Sequence, residues 1–392
     1  MTANNGASAN RRATLWLADA CRVFLSREDT IVFDADTCQI EQLGPAHQLE
    51  PMLHSLASAG LIEGGVPEVL TESWLASYCV TLLRNQRRFG FLQGIVDDCE
   101  QAGVGLLVLK GPAHVVRVWR DAGLRPMIDI DLLCREKELP AVTEIVHAAG
   151  FEPLGKTSPF HLEFRTPDAG DRIELHFDIH EIFGDRATFL DMIWRSAEIV
   201  EHADLRVPAL STECCLVFDL GHLLHNDLRI SMRSLVDFAG QLRDGRFEND
   251  QIRSLLKLTD LHSEYDCIVS LTDGLGWTCV AASGPDSDLM QQLRDYWAAL
   301  PGDPGPGAMR EILYHPGMLR KIRKGFDVLF PPVSHLRERS PTRSNSALRL
   351  RHIYEMLTGV SGDLFRGPGL NRMPSISLKR DVYRRRVERR RG

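Results

Sequence analysis

The chain has 392 residues and a mass of 44.0 kDa, which is enough for two or three domains and a sizeable buried core. Its composition, with 44% hydrophobic and 25% charged residues, excludes a chain that is disordered throughout. The net charge of −7 argues against a protein whose whole surface binds nucleic acid, because phosphate binding requires a positive potential.

The sequence predicts a cytoplasmic protein without a membrane span. No stretch approaches the ~20 consecutive apolar residues that cross a bilayer. The apolar segment near the N-terminus is interrupted by Asp19 and Arg22, which distinguishes it from the apolar region of a signal peptide. Nine cysteines without a C-x-x-C pair indicate buried, reduced thiols rather than a disulfide framework.

The first hundred residues are predicted to be mostly helical. Residues 1–12 are polar and rich in Gly, Ala and Asn, and we expect them to be disordered. Residues 13–101 are predicted to form a helical N-terminal region. Within it, the apolar residues between Leu70 and Glu100 recur about every 3.6 positions, which is the period of an amphipathic helix.

Residues 102–205 have a different pattern, in which short apolar runs alternate with helical stretches. The predicted elements, in chain order, are a strand at 105–109, a helix at 113–122, a strand at 127–133, a helix at 138–149 and a hairpin with arms at 160–166 and 172–180. This order predicts an α+β fold: a small mixed β-sheet with helices packed against it, flanked by N- and C-terminal helical regions.

The remainder of the chain is predicted to be helical, with a basic end. Residues 206–300 are expected to form a helical domain whose first helix begins near Ser211, a favourable N-cap. A Pro/Gly-rich linker opens the region 301–392, which is predicted to be helical and irregular. From Lys379 to Arg391 the tail has eight basic and two acidic residues, so it carries +6 and leaves −13 for the rest. Such a tail can bind nucleic acid or an anionic membrane, although a solvated segment is more frequent.

The most informative motif is Asp129-Ile130-Asp131 in the second predicted strand. Residues i and i+2 of a strand point to the same face, so the two carboxylates are expected about 7 Å apart at the base, with their tips free to converge. Such a pair suits a hard divalent cation such as Mg²⁺, and Glu174 of the predicted hairpin is a candidate third ligand. A D-x-D pair also occurs by chance. Here the apolar neighbours place it on a core strand, where carboxylates need a cation or hydrogen-bond donors.

Three segments around this motif resemble a known family. They are Leu109–Gly111, the run RPMIDIDLL from Arg125 to Leu133, and Ile173–His176. In this order they resemble the uncharacterised nucleotidyltransferase family of the DNA-polymerase-β-like superfamily. The superfamily pattern is a strand ending in Gly, a helix, a strand with D-x-D and a later strand with a third acidic residue. The resemblance covers about residues 70–250 and identifies 102–205 as a nucleotidyltransferase-like catalytic core.

The resemblance implies an enzyme that transfers a nucleoside monophosphate from an NTP to an acceptor hydroxyl. Asp129, Asp131 and Glu174 would be the catalytic residues and would hold two Mg²⁺ ions, with Mn²⁺ as an alternative. The acceptor stays open between a small molecule, a peptide or protein and an RNA end, and a natural-product or peptide-modifying pathway is compatible with the family. The oligomeric state also stays open. The nucleotide-binding residues that the resemblance implies are Lys110, Gly111, Arg125 and His176.

Other interpretations remain beside this one. The first turn is Lys110-Gly111-Pro112, where the superfamily usually has Gly-Ser or Gly-Gly, so the chain is alternatively a catalytically degenerate member that binds nucleotide or a partner. A further alternative is an RNA-binding module that uses the basic tail. Arg125 either binds phosphate or pairs with Asp129 or Asp131.

Two groups of histidines have more than one interpretation. His176, Asp178 and His180 alternate along one predicted strand and are candidate transition-metal ligands. Neighbouring positions on one strand face rarely all reach one ion, so a polar face that lines the nucleotide cleft is the favoured interpretation. His222 and His225 share one helix face, and a structural role is favoured over contact with substrate.

Overall fold

The computed structural model describes residues 2–278, with gaps, and also Gln291 and Trp297. The gaps are residues 28, 158–159, 168–169, 180–181, 183, 204, 226–230 and 245–248. The predicted region 301–392, with its basic tail, lies outside the described residues. Within the described part, no helix has both the length and the apolar character that a membrane crossing requires.

Four helices and two short parallel strands form the N-terminal part. They are α1 (Thr2–Ser26), β1 (Ile31–Val32), α2 (Thr37–His47), α3 (Glu50–Ser58), β2 (Ile62–Glu63) and α4 (Glu68–Ala102). Helix α4 is the one predicted from the apolar period, and it ends where Gly103 adopts a left-handed backbone with φ 69°. Helix α1 begins at Thr2, inside the segment 1–12 for which the sequence predicts disorder. Alanine, the strongest helix former, recurs in that segment.

A mixed seven-stranded sheet follows, so the predicted α+β fold class is confirmed. Its strands are β3 (Leu106–Val108), β4 (Ile130–Cys134), β5 (Glu152–Thr157), β6 (His161–Arg165), β7 (Arg172–His176), β8 (Glu198–His202) and β9 (Leu205–Ala209). They lie in the order β5-β6-β7-β4-β3-β9-β8. Strand β4 pairs antiparallel with β3 and parallel with β7, which places the two acidic motifs beside each other.

The helices around the sheet differ in detail from those predicted. Helix α5 (Gly111–His114) continues as a π-helical turn over Val115–Trp119, which ends where Arg120 adopts φ 60°. The predicted helix 113–122 therefore begins two residues earlier and ends three residues earlier. Helices α6 (Leu139–Ala148) and α7 (Arg186–Arg195) complete this part.

Within the described residues, four more helices lie beyond the sheet. They are α8 (Thr212–His225), α9 (Met232–Asp244), α10 (Asn249–Thr259) and α11 (His262–Gly274). The hydroxyl of Ser211 accepts a hydrogen bond from the Cys214 amide at 3.3 Å, so the predicted N-cap is confirmed. The boundary predicted between residues 205 and 206, which separates the catalytic core from the helical domain, falls within strand β9.

The two faces of the sheet have different partners. On one face, Val108, Ile130 and Leu175 pack with apolar residues of α4 and α6. The opposite face carries Leu107 and Leu133, which belong to a second cluster built from α1–α3 and α8–α11. Because side chains alternate along a strand, the acidic residues of β4 and β7 share this second face, beneath α8 and α9.

Candidate active site

The parallel pairing of β4 and β7 brings the predicted acidic residues together. Asp131 lies directly opposite Glu174 in the register, and Asp129 precedes β4 by one residue on the same face. All three side chains line a cavity of about 360 Å³ between the sheet and helices α8 and α9. Lys110, Gly111 and Arg125, predicted from the family resemblance to bind nucleotide, line the same cavity.

Helix α4 holds the loop that leads into β4. The Asn85 amide donates to the carbonyl oxygens of Ala122 and Arg125 at 2.7 and 2.8 Å. The Arg88 guanidinium donates to the carbonyls of Met127 and Ile128, and it forms an ion pair with Asp171 at 3.0 Å. Because these donors are buried, they fix the backbone immediately before Asp129. The sequence did not predict a role for Asn85 or Arg88. The one local indication was that these polar residues lie on the buried face of α4.

Asp131 is the buried, ionised member of the acidic group, with only 6% of its surface exposed. The Lys110 ammonium lies 3.0 Å from its Oδ1, and Nε2 of His176 lies 3.4 Å from the same oxygen. Burial alone would raise the pKa of Asp131, but these two neighbours outweigh it and hold the pKa well below the usual value.

Asp129 has the opposite electrostatic environment. Within the described residues, no hydrogen bond or ion pair reaches its carboxylate. Burial, followed by the negative charges of Asp131 and Glu174, raises the pKa of Asp129 to about 6. The Glu174 pKa is lowered, chiefly by its contact with His176. Three oxygen-donating side chains whose charges repel one another fit the requirements of a bound divalent cation.

Arg125 pairs with a carboxylate other than those proposed from the sequence. Its Nε and Nη2 donate to Asp237 of α9 at 2.9 and 2.7 Å, a bidentate pair, and Trp119 donates to the same carboxylate at 2.6 Å. The expected alternative of pairing with Asp129 or Asp131 is therefore wrong, because α9 supplies a closer acid. Burial opposes the charge, but Asp237 outweighs it and raises the pKa of Arg125.

A second arginine, to which the sequence analysis gave no role, faces the cavity. Arg233 stands one helical turn before Asp237 on α9, and its Nη1 donates to the carbonyl of Pro126 at 2.6 Å. Its Nε is buried without a hydrogen-bond partner, and no described carboxylate lies within ion-pair distance. Burial and the neighbouring Arg125 lower the pKa of Arg233 to about 10, so its guanidinium remains charged at neutral pH.

Lys110 and Gly111 form the turn between β3 and α5. The Lys110 ammonium reaches His222 Nδ1 at 3.4 Å as well as Asp131, so His222 faces the cavity rather than serving only the core. A Cβ at Gly111 would lie 2.8 Å from the Met127 sulfur, so a larger residue here would require the Met127 side chain to shift.

A hydrogen-bonded buried network forms another wall of the cavity. Asp219 of α8 lies 2.6 Å from His114 Nε2 and accepts from Gln241 at 2.7 Å. Cys215 lies 3.8 Å from the same His114 nitrogen. Burial opposes protonation of His114, but Asp219 outweighs it and raises the pKa of His114 to about 10. The sequence gives no indication of this network, because His114 lies more than one hundred positions before the other members on α8 and α9.

The mixed sheet, with acidic side chains paired across the parallel strands β4 and β7, defines an α+β protein of the nucleotidyltransferase type. The chain belongs to a family of uncharacterised nucleotidyltransferases, which matches residues 35–275. This match confirms the family that the motifs around Asp129 indicate.

Comparison with solved structures gives distant similarities. The solution structure of the antibiotic-resistance factor ANT(2'')-Ia has 12% identity and a TM-score of 0.36, covering 48% of this chain and 99% of that one. The lincomycin-bound lincosamide antibiotic adenylyltransferase LnuA has 17% identity and a TM-score of 0.30, covering 39% and 94%. No curated protein matches the chain.

Proposed function

We propose that the protein is a metal-dependent nucleotidyltransferase that transfers a nucleoside monophosphate from an NTP to an acceptor hydroxyl. The observation that carries this proposal is the meeting of Asp129, Asp131 and Glu174 in one cavity that also exposes the charged groups of Lys110 and Arg233. Carboxylates for cations and cations for phosphates are the two groups of ligands that this reaction requires.

Asp129, Asp131 and Glu174 would hold Mg²⁺, with Mn²⁺ as the alternative. When bound, the metal would neutralise charge on the triphosphate and lower the pKa of the acceptor hydroxyl. The residues fit this use, because no cation among the described residues lies within contact distance of the Asp129 carboxylate, while Asp131 stays ionised beside Lys110.

The chain's own cations would orient the nucleotide. Lys110, Arg125 and Arg233 all line the cavity, but the Arg125 guanidinium is already paired with Asp237, so Lys110 and Arg233 are the cations proposed to bind phosphate. In the transfer step, the acceptor oxygen forms a bond to the α-phosphorus and the bond to pyrophosphate breaks. The hydroxyl proton passes to a carboxylate of the site or to water. In-line geometry then depends on the rigid placement of Asp129 and Asp131 by β4 and the α4 side chains.

The first prediction concerns these two aspartates. Asp129→Asn and Asp131→Asn each remove a negative charge that the metal requires, and we expect pyrophosphate release from mixed NTPs and Mg²⁺, across a broad acceptor set, to fall at least about 1,000-fold. The measurement is pyrophosphate release, together with transfer of labelled nucleotide. Asp97→Asn, an exposed change on α4, is the matched control and should retain activity.

Circular dichroism and thermal unfolding would check that the variants fold. Undiminished transfer in both variants would contradict the proposal. If the wild-type chain binds nucleotide but releases no pyrophosphate with any acceptor, the degenerate binding member becomes the better interpretation. The atypical Lys110-Gly111-Pro112 turn is the feature that favours that alternative.

A further inference from the structure

A second group of metal-ligating side chains lies beside the acidic group. His161 of β6 stands directly opposite His176 of β7 in the antiparallel register, with ring centroids 5.0 Å apart. Glu174 is two residues from His176 and shares its face of the sheet. One ligand atom from each of these three residues lies within 4.8 Å of the other two, which is close enough for one ion to contact all three after small side-chain adjustments.

The ring nitrogens of His161 and His176 have few partners. Nε2 of His161 lies 3.7 Å from Glu163 Oε1. Nδ1 of His161 and both ring nitrogens of His176 are buried and have no hydrogen-bond partner among the described residues. Nε2 of His176 lies only 3.5 Å from Glu174 Oε2 and 3.4 Å from Asp131 Oδ1, yet neither contact has the geometry of a hydrogen bond. A buried polar atom without a partner costs about 1–3 kcal/mol, so such a cluster is typical of a site that a ligand completes.

The chemistry of the three side chains identifies the class of ligand. Two imidazoles and one carboxylate form a donor set that holds zinc in catalytic sites and leaves a further position open. Ligand atoms about 2.0–2.2 Å from one ion lie roughly 3–4 Å from each other, and the 3.5 Å between His176 Nε2 and Glu174 Oε2 agrees with this spacing. Mg²⁺ prefers oxygen ligands and would not favour this set.

We propose that His161, Glu174 and His176 form a binding site for a divalent transition-metal ion, of which Zn²⁺ is the best match. The site is distinct from the Asp129–Asp131 pair and shares only Glu174 with the proposed Mg²⁺ ligands. Metal binding here does not require the transferase activity. A zinc titration without nucleotide therefore tests this site independently of the proposed reaction.

The test is zinc binding to the full chain after treatment with a chelator and dialysis. Calorimetric titration with Zn²⁺ is expected to detect one site whose affinity His161→Gln lowers at least about 100-fold. Loss of an outer-shell partner costs up to about 100-fold, and loss of a direct ligand should cost at least as much. The visible absorption of Co²⁺, used as a substitute for Zn²⁺, should change in the same variant. His147→Gln, an exposed histidine on α6, is the matched control and should bind as the wild type does.

A conservative variant keeps the test decisive if His161→Gln folds poorly. His161→Cys replaces one zinc ligand by another and should retain binding with an altered Co²⁺ spectrum. Zinc affinity that is unchanged in His161→Gln would overturn the proposal. Zinc affinity lost in Asp129→Asn, or in His114→Gln, but kept in His161→Gln would place the ion elsewhere and would overturn it as well.

Discussion

Asp129 and Asp131 are two residues apart, yet their surroundings move their pKa values in opposite directions. Asp131 contacts Lys110 and His176 and remains ionised, whereas Asp129 contacts neither and has a pKa of about 6. Neighbouring carboxylates whose pKa values differ in this way are typical of functional sites, because catalysis often needs one ionised and one more readily protonated acid close together. A divalent cation at Asp129 would supply the positive charge that Asp131 already obtains from Lys110.

A further prediction at the residue scale concerns Arg233, a cavity-facing cation whose Nε has no hydrogen-bond partner among the described residues. We expect Arg233→Gln to weaken binding of a non-hydrolysable NTP, in the presence of Mg²⁺, about 10- to 100-fold, because a charged hydrogen bond to phosphate contributes about 1.5–3 kcal/mol. The nucleotide affinity of Arg233→Lys should lie between those of the wild type and Arg233→Gln, since lysine keeps the charge but lacks the paired N–H donors of the guanidinium. Equilibrium titration gives the affinities.

The same helix offers a matched control for that prediction. Arg243→Gln removes an exposed guanidinium near the end of α9, outside the proposed active-site cavity, and should leave nucleotide affinity unchanged. An equal loss of nucleotide affinity in Arg233→Gln and Arg243→Gln would mean that the loss comes from the change in net charge rather than from a contact made by Arg233. An unchanged affinity in Arg233→Gln would remove Arg233 from the proposed site.

At the scale of elements, local patterns predicted the centre of the sheet but not its edges. Strand β7 alternates apolar and polar residues, so the hairpin is predicted from the sequence, but its second arm ends at His176 rather than at 180. The D-x-D strand begins at Ile130 rather than at 127, so Asp129 precedes it, and all five of its residues are buried. Strands β5 and β8 are rich in charged residues or contain Pro and Gly, so they lack a clear period. Strand β9 alternates buried and less buried residues, but over only five positions that include Pro208. Its pairing with β3 depends on a neighbour far along the chain.

The candidate metal ligands illustrate this limit of local patterns. The predicted strand 172–180 suggests that His176 and Asp178 share a face, but β7 ends at His176 and Asp178 pairs with Arg186 at 3.1 Å. His180 lies outside the described residues. The histidine that does approach His176 is His161, and only the strand register brings it there. Arg233 and Asp237 reach the site because α9 packs over the sheet, and no spacing in the sequence predicts where a helix packs.

An element-scale prediction concerns the close packing of α9 on the π-helical turn. A Cβ at Gly240 would lie 2.3 Å from Cγ1 of Val118. We expect Gly240→Ala to lower the free energy of unfolding by about 1–2 kcal/mol, since overpacking exceeds the gain in helix propensity. Gly94→Ala, in α4, meets no atom within 4 Å and should be neutral or stabilising.

A double variant checks the cause of that loss. Val118→Ala removes the methyl groups that the Cβ of Gly240→Ala would contact. The double variant should therefore lose less free energy of unfolding than the sum of the losses in the two single variants. Urea unfolding of the four chains measures the coupling. Strict additivity would show that Gly240 matters for a reason other than contact with Val118.

At the scale of the whole molecule, the helices before and after the sheet share one core. The sequence divides them into separate regions, 13–101 and 206–300, but a single buried cluster contains Leu17 of α1, Leu53 of α3 and Phe238 of α9. His47, the last residue of α2, joins the same interface, because its Nδ1 accepts a hydrogen bond from the Met232 amide at 3.4 Å. The N-terminal helices therefore help to place α9, which carries Arg233 and Asp237.

The last prediction is that His47 makes this packing sensitive to acid. Burial lowers the pKa of His47 to about 4, whereas an unfolded histidine titrates near 6.5. As pH falls from 6.5 to 4, only the unfolded chain gains the proton, so the free energy of unfolding decreases, by about 2 kcal/mol at pH 5 from this residue. The neutral variant His47→Gln should remove that part of the pH dependence. Urea unfolding of both chains at pH 7.5 and pH 5 measures the difference, and an equal loss in both would mean that His47 is protonated without cost to the fold.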